Sequence, residues 1–226
     1  MKDGPNIARI AALLGDPARA DALTALMTDR ALTATELATT ANVTKQTMSA
    51  HLSKLLDAAL VTVEKQGRHR YFRLADEDVA GLLESLMGIA FRTGAVRILS
   101  SPREPALRKA RICYDHLAGE MGVTIYEALI RHRALTMSND GLALTDSGKD
   151  LLARLGVDTE AATRQRRIFC RPCMDWSERR YHLAGSLGAA LFSRFQSLGW
   201  VKLEKNSRVV RFTSAGNRGL RSLLVA

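Results

Sequence analysis

The chain has 226 residues, which is enough for one large domain or two smaller ones with a buried core. Its apolar content of 46% is ordinary for a globular protein, no run of eighteen apolar residues predicts a membrane helix, and the N-terminus lacks a signal-peptide pattern, so we expect a cytoplasmic protein. The net charge of +10 favours an acidic partner such as nucleic acid, and three cysteines are too few for a secreted disulfide framework.

Helical periodicity begins near the N-terminus. Residues 6–14 carry apolar positions at helical spacing, and residues 18–27 predict a second helix. Asp16 and Pro17 stand between them. Because an aspartate can accept a hydrogen bond from a free helical N–H, and proline suits the first helical position, these residues predict the start of the second helix.

The next segment has the pattern of a helix-turn-helix. Thr33 and Glu36 have the spacing of a capping box, which predicts the start of a short helix. Residues 41–43 form a tight connection, and Thr44 caps a second helix that runs to about Ala58. In a helix-turn-helix unit, the second helix fits the major groove of DNA.

A β-hairpin is predicted directly after this unit. Residues 60–65 are prone to form a strand, residues 66–67 predict a turn, and residues 68–74 predict the return strand. Such a hairpin is the wing of a winged helix. Residues 76–92 then predict another amphipathic helix.

Polar and basic side chains on the second helix and the wing are the candidate DNA contacts. Gln46 can read a base edge with two hydrogen bonds, and the hydroxyls of Thr47 and Ser49 can bond bases or phosphates. The lysines and arginines would neutralise phosphates or reach the minor groove. The full set is Lys45, Gln46, Thr47, Ser49, Lys54, Lys65, Arg68 and Arg70. The alternative is a winged helix that makes only protein contacts.

Two prolines in residues 100–106 predict a linker between residues 1–99, the DNA-binding domain, and residues 107–226. The second domain contains a repeat: His116-Leu-Ala-Gly recurs 66 residues later as His182-Leu-Ala-Gly. The repeat units cover about 113–155 and 173–224, and each predicts a helix, a hairpin and a closing helix. A duplicated, winged-helix-like effector or dimerisation module is expected.

Four N-terminal segments resemble the arsenic- and metal-responsive repressor (ArsR) family. They are LGDPAR at 14–19, LTATELA at 32–38, VTKQTMSAHLSKL at 43–55 and GRHRYFRL at 67–74. The resemblance covers residues 6–95. It implies a homodimer whose face is made by the first and last helices of this segment, and repression that a metal or another signal relieves.

The chain departs from this family at the usual metal sites. Residues 33–41 contain no cysteine, and residues 76–92 contain Asp76 and Asp78 but no histidine. Neither of the family's common metal sites can therefore be carried over. The longer C-terminal half resembles a larger subgroup of these regulators.

A second chemical signal lies in that half. Cys170 and Cys173 form a Cys-x-x-Cys pair that can bind a metal such as zinc, with His182 as a further ligand and Cys113 or His116 as another. Nearby arginines also favour a thiol switch, and a purely structural role for the cysteines is the third alternative.

The predicted fold class is mainly α with small β-hairpin wings: a winged helix-turn-helix followed by a duplicated winged-helix-like module. We expect a dimeric repressor that binds an inverted-repeat operator in duplex DNA and is released by a metal ion or a thiol-reactive signal. No catalytic motif is present, so we expect no enzyme. A metal- or thiol-dependent enzyme and an interaction adaptor are the alternatives.

Overall fold

The computed structural model describes residues 4–28, 31–67, 69–95, 103–138, 141–205 and 207–225. The chain divides into two compact units, Met1–Leu83 and Glu84–Ala226. The division lies inside helix α5 (Glu77–Arg92), whereas the sequence placed the domain boundary in the linker of residues 100–106. Residues 100–102 lie outside the described residues, and a helix begins at Arg103.

The first unit has the winged-helix order that the sequence predicts. Its elements, up to the helix that crosses into the second unit, are α1 (Ile7–Leu14), α2 (Pro17–Leu26), β1 (Leu32–Thr33), α3 (Ala34–Thr40), α4 (Lys45–Asp57), β2 (Val61–Gln66) and β3 (His69–Leu74). Strands β2 and β3 form the antiparallel wing, and β1 pairs with the other edge of β3. The sequence did not predict β1, because a strand of two residues has too short a pattern.

Side-chain caps fix where the helices of this unit begin. Asp16 accepts a hydrogen bond from the backbone N–H of Arg19 and caps α2, which has proline at its start. Thr33 and Glu36 form a complete capping box at α3, and Thr44 caps α4. The predicted helix starts are therefore confirmed, since each cap satisfies a free N–H at a helix terminus.

The core of the first unit lies between α2, α3 and α4. Leu23, Leu37, Met48 and Leu55 are fully buried there. Asn42 adopts a left-handed backbone conformation (φ 51°) in the turn between α3 and α4, which lets the two helices of the motif turn sharply onto this core. The packed core thereby holds α4 with its other face exposed.

The second unit repeats one order of elements twice. After α6 (Arg103–Lys109), the first repeat contains β4 (Arg111–Cys113), β5 (His116–Ala118), α7 (Glu120–Arg131), β6 (Leu135–Ser138), β7 (Gly141–Leu144) and α8 (Asp146–Leu155). Helix α9 (Thr159–Thr163) follows. The second repeat contains β8 (Arg171–Met174), β9 (Tyr181–Ala184), α10 (Gly185–Ser197), β10 (Val201–Leu203), β11 (Val210–Phe212) and α11 (Ser214–Val225).

The predicted helix, hairpin and closing helix are present in both repeats. Thr145 caps α8, and Thr213 accepts a hydrogen bond from the N–H of Gly216 at the equivalent position of α11. Each repeat also begins with a short antiparallel hairpin, β4–β5 or β8–β9, which the sequence did not predict. These two hairpins carry the candidate metal ligands.

The two repeats share one hydrophobic core. Leu129, Leu135 and Leu152 of the first repeat are buried in the same cluster as Leu187 and Phe195 of the second. The repeats are therefore halves of one unit. Among the described residues, none of the helices is both long enough and apolar enough to span a membrane.

Candidate metal centre and nucleic-acid interface

The exposed face of α4 carries the predicted base-reading residues. Lys45, Gln46, Thr47 and Ser49 are all exposed, while Met48 between them is fully buried and anchors the helix. The hydroxyl of Ser49 donates to the carbonyl of Lys45 at 2.8 Å. The hydroxyl of Thr47 lies 2.9 Å from that of the capping Thr44. Within this set, Gln46 is the residue whose side-chain amide can both donate to and accept from a base edge.

The wing adds basic side chains. Lys65 and Arg70 are directly opposite each other on β2 and β3, and both are exposed. The Arg70 guanidinium lies 5.4 Å from the centre of the Phe72 ring, so a cation–π contact holds the stem of the arginine against the wing. Arg68 lies outside the described residues, and Lys54 is exposed near the end of α4.

A groove separates α4 from the wing within the first unit. Its polar lining includes Lys45 and Ser49 on one side and Arg70 on the other, all of which the sequence predicted as DNA contacts. Ser53 and His69 also line the groove, although neither was among the predicted contacts. Cationic and hydroxyl groups on opposite walls suit a phosphate backbone that runs between them.

His51 has a structural position behind this surface. Its Nδ1 lies 3.2 Å from the guanidinium of Arg19, which is itself buried. Arg19 also donates to the carbonyls of Ala12 and Leu13 near the end of α1. Arg19 therefore links α1, α2 and α4, and His51 belongs to that network.

The second candidate site is a cluster of four side chains in the second unit. Cys113 and His116 are cross-strand neighbours in the first hairpin, and Cys173 and His182 are cross-strand neighbours in the second. One potential ligand atom from each of the four residues lies within 4.8 Å of all the others. Cys113, His116 and His182 are buried, and Cys173 is half-buried.

The hairpins meet because small residues let the following helices approach them closely. A Cβ atom on Gly122 of α7 would lie 2.5 Å from the carbonyl oxygen of Leu117, and one on Gly188 of α10 would lie 2.5 Å from that of Leu183. The same two glycines also face the histidine of the other repeat, at 3.5 Å from the Cβ of His182 and 3.3 Å from that of His116 respectively. The cluster thus lies where the two repeats cross.

A carboxylate stands behind each histidine. Asp115 accepts a hydrogen bond from His116 Nδ1 at 3.1 Å, and Asp175 Oδ2 lies 3.5 Å from His182 Nδ1. Among the described residues, no hydrogen-bond partner is present for the buried Nε2 atoms of the two histidines. Metal-binding histidines commonly have a hydrogen-bonded carboxylate on the opposite ring nitrogen. The hydrogen bond to Asp115 therefore orients the His116 ring for a metal at Nε2, whereas Asp175 lies near His182 Nδ1 without a hydrogen bond to it.

The electrostatics of the cluster favour a cation. The neighbouring Cys113 thiol, together with the His116 and His182 rings, outweighs burial and lowers the pKa of Cys173 to about 2. Burial opposes the charged form of His116, but the hydrogen bond to Asp115 and the nearby Cys173 sulfur raise its pKa to about 9. The hydrogen bond to Cys173, with burial, raises the pKa of Cys113 well above its usual range. In the absence of a metal, the charge of the Cys173 thiolate is therefore stabilised by the protons on Cys113 and His116, and a bound cation can replace those protons.

Cys170 does not join this cluster. Its buried thiol donates to the carbonyl of Leu142 at 3.1 Å, and its pKa is raised by burial. Cys170 immediately precedes strand β8, which contains Cys173, and residues three apart on an extended backbone point to opposite faces. The structure therefore brings together the predicted Cys173 and His182 with Cys113 and His116, the residues that the sequence held as further ligands.

Comparisons with known proteins cover both units. Residues 14–64 match the family model described as a helix-turn-helix domain. The chain is 43% identical over 212 residues to YdfF of Bacillus subtilis strain 168, an uncharacterised HTH-type transcriptional regulator, and the match covers 94% of both chains. It is also 46% identical over 50 residues to the arsenical resistance operon repressor of the same organism, covering 22% of this chain and 48% of that one.

The chain is also similar to a solved structure. It is the homodimeric winged helix-turn-helix domain of a possible ArsR-family regulator from Mycobacterium bovis, with 26% identity over 40% of this chain and 90% of that one. The TM-score of this match is 0.35.

The match to YdfF spans the winged helix and the duplicated unit alike, so both belong to one type of regulator. The capped helices, the exposed face of α4 and the wing are those of a DNA-binding motif. The chain belongs to the HTH-type transcriptional regulators, and its first unit is a winged helix-turn-helix.

Proposed function

We propose that this regulator is a dimeric repressor whose binding to DNA responds to a metal ion held by Cys113, His116, Cys173 and His182. The observation that carries the proposal is the convergence of these four ligand atoms within 4.8 Å. The cluster contains two thiols and two histidine Nε2 atoms that have no hydrogen-bond partner among the described residues. Because buried polar atoms need a partner, a cation or protons must satisfy this donor set.

Zinc is the ion that this donor set fits best. Zinc takes four ligands in a tetrahedron, and its bond lengths place neighbouring sulfur and nitrogen ligands about 3.3 to 3.8 Å apart. The four atoms of the cluster need only a small contraction to reach that geometry. Two thiolates and two imidazoles in a tetrahedron favour zinc over ions that prefer oxygen ligands, such as magnesium.

DNA binding is assigned to α4 and the wing. Gln46 would read a base edge, Thr47 and Ser49 would contact bases or phosphates, and Lys45 would contact the backbone. The other basic residues would neutralise phosphates: Lys54, Lys65, Arg68 and Arg70. A two-fold dimer places two such helices on an inverted repeat.

A second copy of this chain is the partner proposed for α5. Leu82, Leu86 and Ile89 follow one another at helical spacing and are 39%, 40% and 47% exposed. Among the described residues of α1, none is buried, and Ile7 is 81% exposed. The family resemblance implies that these two helices form the dimer face, which would cover their apolar side chains. A relative over the DNA-binding segment is named as the repressor of its operon, which favours repression here.

The test uses the full-length protein and DNA from upstream of its own gene. Footprinting should reveal an inverted repeat, and fluorescence anisotropy should then give the Kd for that DNA with and without one equivalent of zinc. We expect zinc to raise the Kd by about 5- to 150-fold, the usual range for coupled sites. Cys173→Ser should lose the response and Cys170→Ser should keep it. Equal DNA affinity with and without zinc in the wild-type protein would refute the metal response.

A thiol switch at the same residues is the second candidate. Cys113 and Cys173 offer sulfur atoms within 4.8 Å of each other, and the lowered pKa of Cys173 favours the thiolate that attacks an oxidant. A peroxide, which accepts two electrons, would oxidise Cys173 to a sulfenic acid, and Cys113 would then displace water to form a disulfide. Mass spectrometry of peroxide-treated protein distinguishes this response, because the disulfide lowers the mass by two hydrogens and requires both residues.

A further inference from the structure

A buried acidic residue on α5 has no role in the DNA-binding surface or among the metal ligands. Glu84 is only 3% exposed, and its Oε1 accepts a hydrogen bond from Arg208 Nη2 at 2.8 Å. Its Oε2 is also buried, with no hydrogen-bond partner among the residues that the structure describes. Acidic side chains are almost never buried unless they are paired, so the pair with Arg208 fixes this part of α5.

Arg208 connects Glu84 to the first hairpin of the metal cluster. Its Nε donates to the carbonyl of Ile112 at 3.0 Å, and its own carbonyl accepts from the N–H of Ile112 at 2.8 Å. Ile112 directly precedes the ligand Cys113 on β4. The arginine therefore holds α5 on one side and the strand of a metal ligand on the other.

A separate series of contacts reaches α5 from the second hairpin. Asp175, which stands behind the ring of His182, forms a fully buried ion pair with Arg111 at 3.0 Å. The Arg111 guanidinium lies 4.3 Å from the centre of the Trp176 ring, and Trp176 packs edge-on against Phe91 of α5 at 5.6 Å. Because Arg111 itself lies on β4, this second connection links both hairpins of the cluster to the C-terminal half of α5.

We propose that Glu84 and Phe91 transmit the state of the metal cluster to α5 through these two connections. The proposal rests on the proposed metal response and names the residues that carry it. Metal binding draws the two hairpins together, and both Arg208 and Trp176 are attached to those hairpins. Tightly packed ion pairs and rings do not deform continuously. The displacement of the hairpins is therefore passed on to α5. Helix α5 begins in the DNA-binding unit and continues into the second unit, so we expect a shift of this helix to reach the DNA-binding unit.

The test compares the zinc response of DNA binding in three variants of the full-length protein. Glu84→Gln removes the negative charge that pairs with Arg208, and Phe91→Leu weakens the packing against Trp176. Asp78→Asn is the matched control, because Asp78 is an exposed acidic residue on the same helix. The zinc response is the ratio of the DNA Kd with zinc to the Kd without it. We expect a reduction of at least fivefold in Glu84→Gln and in Phe91→Leu and no change in Asp78→Asn, while each variant still binds one zinc.

A measurement on the wild-type protein does not depend on whether the variants fold. Hydrogen–deuterium exchange should show slower exchange of the amides of residues 84–92 when zinc binds. A full zinc response in both Glu84→Gln and Phe91→Leu, or unchanged exchange in residues 84–92, would overturn the proposed transmission while leaving the metal response intact. If zinc did not change the DNA affinity of the wild-type protein, both the metal response and its transmission through α5 would be overturned.

Discussion

Replacing Cys173 by serine should remove the metal, whereas the same change at Cys170 should not. Serine is a poor zinc ligand, and the loss of one ligand from a closed tetrahedral site leaves three. An ion present at about 1,000 times its Kd stabilises the folded state by about 4 kcal/mol. For a unit the size of residues 84–226, about 4 °C of Tm corresponds to each kcal/mol, so zinc should raise the wild-type Tm by about 15 °C.

The assay combines zinc stoichiometry, measured by mass spectrometry of the metal content, with thermal unfolding in zinc and in chelator. Wild-type protein and Cys170→Ser should each retain one zinc and the zinc-dependent rise in Tm. The serine hydroxyl at position 170 can keep the hydrogen bond to Leu142, so the change in stability there should stay near 1 kcal/mol or less, about the net value of one hydrogen bond. Cys173→Ser should contain no zinc and show the same Tm in zinc and chelator.

Either of two results would refute this reasoning. Zinc retained by Cys173→Ser would remove this residue from the ligand set. Zinc lost equally in Cys170→Ser would indicate that the Cys-x-x-Cys pair binds the metal after a rearrangement of the second hairpin. Substitution of Cys113 by serine gives an independent check, because its thiol is placed in the same cluster.

Three further predictions concern specificity, pH and packing. Gln46→Ala should lower discrimination at one base position by about 1–3 kcal/mol, and equal losses on matched and mismatched operators would argue against base reading. Zinc affinity should fall by about 100-fold for each pH unit below 9, because His116 and Cys113 must each release a proton when zinc binds. The pKa of His116 is about 9 and that of Cys113 is raised well above its usual range. A zinc Kd that does not change with pH, measured by chelator competition, would contradict this. Gly188→Ala should destabilise the protein by about 1–3 kcal/mol, because the new Cβ lies 2.5 Å from the carbonyl oxygen of Leu183, and an unchanged Tm would be inconsistent with that contact.

The first unit was largely predictable because its signals are local. The Thr33–Glu36 capping box and the Asp16 cap each involve residues only three apart, and they set the helix boundaries directly. The apolar spacing of α4 likewise predicted that Met48 and Leu55 would be buried. Such short-range patterns are readable from one sequence.

The cluster of Cys113, His116, Cys173 and His182 was only partly predictable because it depends on contacts between distant residues. The spacing of Cys170 and Cys173 favoured these two as joint ligands, but the extended backbone of the second hairpin separates them. Cys113 and Cys173 meet across 60 positions of sequence, and no local pattern indicates that pairing. The 66-residue offset between His116 and His182 was the available signal, since equivalent positions of a duplicated unit can face each other where its halves cross.

Each repeat contributes one cysteine and one histidine, which is half of the tetrahedral coordination sphere proposed for zinc. A single repeat by itself would have only two ligands and could complete the sphere only by associating with a second copy. With the proposed zinc bound, the duplicated unit would have the organisation of a metal-bridged homodimer whose two subunits are joined in one chain. In such an arrangement the two halves are free to diverge in sequence, provided that each keeps its own pair of ligands and the glycine that faces the other half.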